Sequence, residues 1–176
     1  GLQGLQHRGQ ESAGIVSSDD DRLHSFRRMG RVVDIFDTSA LARLPGERAI
    51  GHVRYSTSGA STVKNAQPFA VGFSGSSMAI SHNGNLTNAR TLRLELEEDG
   101  ALFHSSMDTE IIVHLMARAS GDVLSRVKQA MARVEGAYSF LILTPEQLIA
   151  VRDPLGFRPL VLGMLDSSYV ISSETC

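Results

Sequence analysis

Strand-forming and helix-forming stretches come in blocks along this sequence rather than in alternation, and that order limits the folds open to it. Apolar or β-branched runs with strand character occupy 13–17, 23–27, 32–36, 49–55, 69–73 and 78–82. Helical spacing takes over in the middle of the chain. Leu92 and Leu96 recur within 88–98, Ile111, Ile112, Leu115 and Met116 within 108–119, and Leu124, Val127 and Met131 within 122–134. Strand character then returns at 137–143, 147–152, 158–163 and 169–172, with turns at Thr144-Pro145, Asp153-Pro154 and Asp166-Ser167 between them. Blocks in this order predict an α+β fold of antiparallel sheets with helices on their outer faces. The regular strand–helix alternation of a doubly wound dinucleotide-binding fold is missing.

Local signals refine the picture. A short helix is expected over 39–44, stopped by Pro45-Gly46, and Leu2 and Leu5 suit the last turns of a helix ending at Gly9. Asn83-Gly84 directly after a strand is a strong turn signal. Asn88, Asp108 and Asp122 stand where helix caps belong.

Composition excludes several functions. Lys and Arg number 17 against 19 Asp and Glu, a net charge of −2, so the chain lacks the basic footprint of a nucleic-acid binder or an anionic membrane surface. The single cysteine, Cys176, rules out an internal disulfide framework and points to a reducing, cytoplasmic home. No run of about 18 apolar residues is present to span a membrane. Among the six histidines the closest pair, His104 and His114, is ten residues apart, which is not metal-ligand spacing. Phosphate-loop, dinucleotide and serine-elbow motifs are missing as well. The 176 residues suit one domain spanning 1–176. Both ends read as cut, since no Met opens the chain and a strand runs almost to its last residue.

Three polar constellations sit at strand or helix ends, where sites are usually built. Arg54 closes a strand in Gly51-His52-Val53-Arg54-Tyr55-Ser56-Thr57 and suits a carboxylate, or else a structural ion pair. In Ser81-His82-Asn83-Gly84-Asn85-Leu86, the Asn83 amide and the Gly84 N–H suit a developing oxyanion, or else merely make a turn. Asp108 in Met107-Asp108-Thr109-Glu110 suits a substrate ammonium as well as a helix cap. A cation, an anion and paired donors together outline a site for an amino acid. Spacing alone does not bring them together.

These motifs carry a resemblance. The block from Leu5 to Ile15 (LQHRGQESAGI), the run at 51–57, Asn65-Ala66-Gln67-Pro68-Phe69 and the run at 81–89 resemble the class II glutamine amidotransferases. Within that class the block at 152–163 (RDPLGFRPLVLG) is similar to the amidophosphoribosyltransferase family, and the match covers nearly the whole chain. The glucosamine-6-phosphate synthase branch resembles it less: that branch carries Trp after the arginine matching Arg54, where this chain has Tyr55.

The resemblance implies an N-terminal-nucleophile hydrolase fold, a four-layer αββα sandwich of two antiparallel sheets. It implies that Arg54 takes the glutamine α-carboxylate, Asp108 its ammonium, and Asn83 and Gly84 the oxyanion. Arg8 is expected near the nucleophile, and Tyr55, Thr57 and Ser58 along the same pocket. In the family an N-terminal cysteine thiolate attacks the glutamine carboxamide and its own α-amine serves as base. The ammonia released goes to a phosphoribosyltransferase domain, where it displaces pyrophosphate from phosphoribosyl pyrophosphate in the first step of purine synthesis.

This chain departs from that pattern. It opens with Gly1, so the cysteine is expected upstream of it, and a polypeptide that truly starts at Gly1 is expected to be inactive as a glutaminase. Cys176 matches a non-catalytic segment, and Met107 replaces the family's serine before the aspartate. The transferase domain is absent, and with it the Mg and, in some members, the 4Fe-4S cluster that the family implies; no cofactor is expected in this chain. The implied partners are glutamine, the transferase domain of the same polypeptide and further copies in a homo-oligomer. Two alternatives stay open at this point: a glutamine-binding module without a nucleophile, and another class II amidotransferase.

Overall fold

The computed structural model describes residues 1–55, 62–73 and 75–175; Thr57, Ser58 and Cys176 lie outside them. Strand β1 (Ser12–Ser18) pairs antiparallel with β2 (Leu23–Met29) on one side and β3 (Arg48–Arg54) on the other. A second sheet has the order β4 (Phe69–Phe73), β5 (Ser76–Leu86), β6 (Gly136–Leu143) and β7 (Leu148–Arg152), again antiparallel throughout. Strands β8 (Val161–Leu165) and β9 (Ser168–Ser172) form a separate hairpin. Short helices α1 (Val32–Ile35) and α2 (Thr38–Ala42) follow β2, while α3 (Ala89–Glu98), α4 (Asp108–Arg118) and α5 (Val123–Met131) lie between β5 and β6.

Alternation along the strands explains the layers. On β5 and β6, Met78, Ile80, Phe140 and Ile142 point to one face and form a core with Leu92, Leu96, Ile111, Ile112, Leu115, Met116 and Val127 of the three longer helices. The intervening Ala79 and Leu143 point the other way and meet Val16 and Ile50 of the three-stranded sheet. The two sheets therefore stack. Outside the three-stranded sheet, Phe36 after α1 packs on Phe26 of β2, with ring centroids 5.5 Å apart. The fold is the expected α+β sandwich of two antiparallel sheets with helices on its outer faces.

Several local expectations are corrected. Residues 32–35 form helix α1 where a strand over 32–36 is expected, and Phe36 is its extended C-cap. Gly30, at φ +119°, turns the chain out of β2, the Val32 N–H donates to Gln6 Oε1 at 2.6 Å, and Arg31 pairs with Asp34 across one turn. The N-terminal segment is a series of turns ending in a 3-10 turn at Gln6–Arg8, not the end of an α-helix. Asn83-Gly84 is no turn: β5 runs straight through it to Leu86, because β6 supplies partners along that whole length. Asn88 does not cap α3 with its side chain. Its amide instead bridges the Arg133 carbonyl and the Glu135 N–H, at 2.9 and 3.0 Å. Asp122 caps α5 as expected, through the Ser125 N–H at 2.8 Å, and the helix stops at Met131.

Candidate functional site

The same alternation that builds the core between the sheets also ends it. Ile50, His52 and Arg54 share one face of β3, and Ala79, Ser81 and Asn83 share the facing side of β5. Their cross-strand partners on β6 are Leu143, Leu141 and Ser139. Each row begins apolar and turns polar within four residues, so the dry core gives way to a polar cleft. That cleft has a volume of about 580 Å³, and Arg8, Arg54, Tyr55, Asn83, Gly84 and Asp108 all line it. Six of the eight residues expected from the sequence are thus brought together. The other two, Thr57 and Ser58, lie outside the described residues.

Arg54 is the last residue of β3 and is buried. Its Nη1 donates to Glu11 Oε1 at 2.6 Å. The structural ion pair and the cleft-lining guanidinium are therefore the same residue, and sequence reasoning did not find Glu11 as its partner. Arg8 also lines the cleft. Its Nη1 donates to the Ser173 carbonyl and lies against Glu174 Oε1, both at 3.3 Å, which ties the N-terminal turn to the segment after β9. Tyr55 is 73% exposed and forms part of the rim.

Gly84 has φ +152°, a conformation that side chains rarely adopt, and a Cβ there would overlap the Ala137 carbonyl oxygen on β6. The glycine lets β5 stay paired while it passes the cleft with Asn83 beside it. Two residues further on, the Leu86 N–H donates to Asp108 Oδ2 at 3.2 Å. Asp108 is not the cap that the sequence suggested but the first residue of α4, after the cap Met107, and its carboxylate fastens the helix start to the end of β5. The preceding loop is held by Glu110, which accepts from the His104 and Ser105 N–H groups at 2.8 and 2.7 Å.

Burial raises the Asp108 carboxyl above the usual aspartate range, and the Leu86 N–H and the Arg93 charge only partly oppose it. A carboxyl with a raised folded-state pKa costs stability once pH exceeds that pKa, because the native state must hold an ill-solvated charge. Asp108→Asn keeps the acceptor for Leu86 and removes that charge. The variant is expected to be at least as stable as the parent at pH 7 in thermal unfolding, while it loses affinity for an amino-acid ligand. A lowered melting temperature at pH 7 would contradict this.

Two histidines of the site were not assigned from the sequence, although His52 is legible by counting two residues back from Arg54 on the same strand face. Desolvation, reinforced by Arg54 and Arg8, lowers the His52 pKa to about 4. His82 stacks on Phe140 with centroids 4.4 Å apart, and desolvation, helped by His52 and Arg158, lowers its pKa to about 3. Both imidazoles are neutral at pH 7. Below pH 6.5 the unfolded chain takes up a proton at His82 that the native state refuses, so stability falls with pH down to about 3. Burial of His82 alone is expected to cost about 2 kcal/mol between pH 7 and 5. Denaturant unfolding at the two pH values checks this, since His82→Gln removes its own share of the difference and leaves that of His52. A His82 ring proton titrating near pH 6.5 in NMR would refute it.

The other four histidines do not line the cleft, and His7 lies 3.1 Å from Glu174. His24 pairs with Asp19 at 2.7 Å, His104 lies 3.4 Å from Glu110, and His114 packs on Phe103. Among the described residues no three His, Cys, Asp or Glu side chains converge as the ligands of a metal ion would. No helix of the described residues is long and apolar enough to cross a membrane.

Residues 52–176 match the model of a family described as the glutamine amidotransferase domain. Amidophosphoribosyltransferase 1, chloroplastic, of Arabidopsis thaliana is 49% identical over 178 residues, which cover 99% of this chain and 31% of that protein. The amidophosphoribosyltransferase of Bacillus subtilis is 43% identical over 178 residues, covering all of this chain and 37% of that protein. Among solved structures, glutamine phosphoribosylpyrophosphate amidotransferase from B. subtilis, complexed with ADP and GMP, superposes with a TM-score of 0.93 at 41% identity, covering 99% of this chain and 38% of that one. A predicted glutamine amidotransferase from Pseudomonas aeruginosa shares the fold, with a TM-score of 0.53 at 16% identity over 92% of this chain and 70% of that one. The chain thus spans roughly a third of the length of the curated relatives it matches.

Proposed function

The chain belongs to the glutamine amidotransferase domain family, and from that premise we propose that its cleft binds glutamine for hydrolysis to glutamate and ammonia. The observation that carries this is the convergence of Arg54, Asp108, Asn83 and Gly84 on one cleft. Arg54 takes the α-carboxylate through charge-assisted hydrogen bonds. Asp108 takes the α-ammonium; its raised pKa still leaves it the only carboxylate among those four residues. The side-chain carboxamide then points toward Asn83 and Gly84, which donate to the oxygen that becomes negative when the carbonyl carbon turns tetrahedral.

The attacking thiolate belongs to a cysteine upstream of Gly1, as in the family. Gly1 and Leu2 line the cleft, so a residue preceding them would start from its wall. The thiolate adds to the carboxamide carbon and the C–N bond breaks. The proton held by the α-amine leaves with ammonia, and water cleaves the resulting thioester to give glutamate. Neutral His52 and His82 add no positive charge near the departing amine.

We further propose that the polypeptide containing this chain passes the ammonia to a phosphoribosyltransferase part, which converts phosphoribosyl pyrophosphate to 5-phosphoribosylamine. Any Mg or 4Fe-4S group belongs to that part. The hairpin β8–β9 supports a large covering partner: Leu162, Met164 and Tyr169 are each at least two-thirds exposed, as are Leu155 and Phe157 just before it. A lone two-stranded hairpin with an apolar surface is marginal in water unless something packs on it. The transferase part, or another copy in an oligomer, fits that need.

Acceptor dependence tests the proposal. In the polypeptide extended to the length of its relatives, phosphoribosyl pyrophosphate is expected to stimulate glutamine hydrolysis and a hexose phosphate is not. Stimulation by the hexose phosphate alone would assign the chain to a different amidotransferase branch.

A further inference from the structure

We propose that Glu11 is the positioning residue for Arg54, fixing the guanidinium so that the cleft discriminates a free α-carboxylate from its neutral analogues. This rests on the reading of Arg54 as the carboxylate partner. It adds a residue outside the convergent four and a role in specificity.

The geometry joins the two residues through backbone and side chain alike. Glu11 Oε1 accepts from Arg54 Nη1 at 2.6 Å, and the two side chains are only 15% and 9% exposed. The Glu11 N–H donates to the Arg54 carbonyl at 3.1 Å, and the Gly30 N–H to the Glu11 carbonyl at 2.8 Å. Ser12, the next residue, stands opposite Arg54 in the β1–β3 ladder. Gly9 closes the clamp, since a Cβ there would lie 2.5 to 2.8 Å from the backbone C, O and N of Arg54. One stretch of four residues thus holds the Arg54 main chain and the end of its side chain.

An unrestrained arginine samples many rotamers, and a ligand that captures it must order them at its own expense. The bond to Glu11 makes that ordering part of folding. It also places a negative charge beside the guanidinium, which partly offsets the field that a loose cation would present to any anion. What remains is a planar donor group in one orientation, suited to a carboxylate arriving from one direction. A neutral amide in the same place gains little from that orientation, so the clamp contributes selectivity as well as affinity.

Steady-state kinetics of the full-length polypeptide test this, with L-glutamine and its α-carboxamide as paired substrates. Glu11→Gln is expected to raise KM for glutamine by roughly 30-fold, the lower range for stripping one member from a buried charge pair. The kcat is expected to stay within about twofold and KM for the α-carboxamide to stay unchanged, because the reacting carboxamide end is untouched. Glu11→Asp recovers part of the preference. In an Arg54→Ala background Glu11→Gln adds little, as coupled residues do. An equal rise in KM for both substrates, or none for either, overturns the positioning role of Glu11. If instead Arg54→Ala itself preserves the preference for the free carboxylate, the assignment of Arg54 fails, and the two failures are distinguished by which variant produces them.

Discussion

Replacing Gly84 by alanine is expected to destabilise the domain by at least about 3 kcal/mol and to abolish glutamine hydrolysis. Two independent costs fall on one methyl group. At φ +152° an L side chain is strained, and the added Cβ would overlap the Ala137 carbonyl oxygen and come within 2.7 Å of the Tyr138 Cα. Both obstacles are backbone of the paired strand β6, so neither can rotate aside. Relief requires β5 and β6 to separate where Asn83 sits, and that displaces the amide assigned to the oxyanion. Thermal unfolding is the check: a fall of roughly 10 °C is expected for a domain of this size. A variant that melts with the parent and keeps its turnover would show that this stretch of β5 yields more easily than its packing implies.

Arg54→Ala carries the second large effect, and it acts twice. Removing the guanidinium leaves the Glu11 carboxylate, only 15% exposed, without that cation, a change expected to cost about 3 kcal/mol of stability, the low end for a fully buried pair. It also removes the partner proposed for the substrate carboxylate, so kcat/KM for glutamine is expected to fall at least about 100-fold. The two losses are separable. Glu11→Gln combined with Arg54→Ala takes away the stranded charge and is expected to regain much of the stability with none of the activity. Arg54→Lys keeps a positive charge but loses the planar fork, and should retain only a fraction of the binding. Turnover within about twofold of the parent in Arg54→Ala would remove this residue from the site.

Periodicity carried the sequence reading furthest. The α+β order, the three longer helices and most strands were legible because alternation and helical spacing report which face is buried. Legibility ended where tertiary partners outweigh local preference. Asn83-Gly84 has the local chemistry of a turn, yet β6 offers a full set of ladder partners and the strand continues. Val32 to Phe36 has strand propensity, yet the Gly30 turn and the bonds to Gln6 and Asp34 wind its first four residues into a helix. The candidate site was legible as residue types and motifs, not as an assembly. Glu11 escaped notice because a carboxylate 43 positions away from Arg54 becomes its neighbour only through the β1–β3 pairing. His82 escaped notice because its significance lies in burial against Phe140, which no local motif reports.

The central claim is that Arg54, Asp108, Asn83 and Gly84 together read one amino acid. A crystal structure of the extended polypeptide with L-glutamate, the reaction product, tests it most directly because that ligand is not consumed. The expected result places the α-carboxylate within hydrogen-bonding distance of the Arg54 guanidinium, the ammonium against Asp108, and the γ-carboxylate at Asn83 and the Gly84 N–H. Glutamate bound away from this cleft, or held there with its α-carboxylate far from Arg54, would contradict the account.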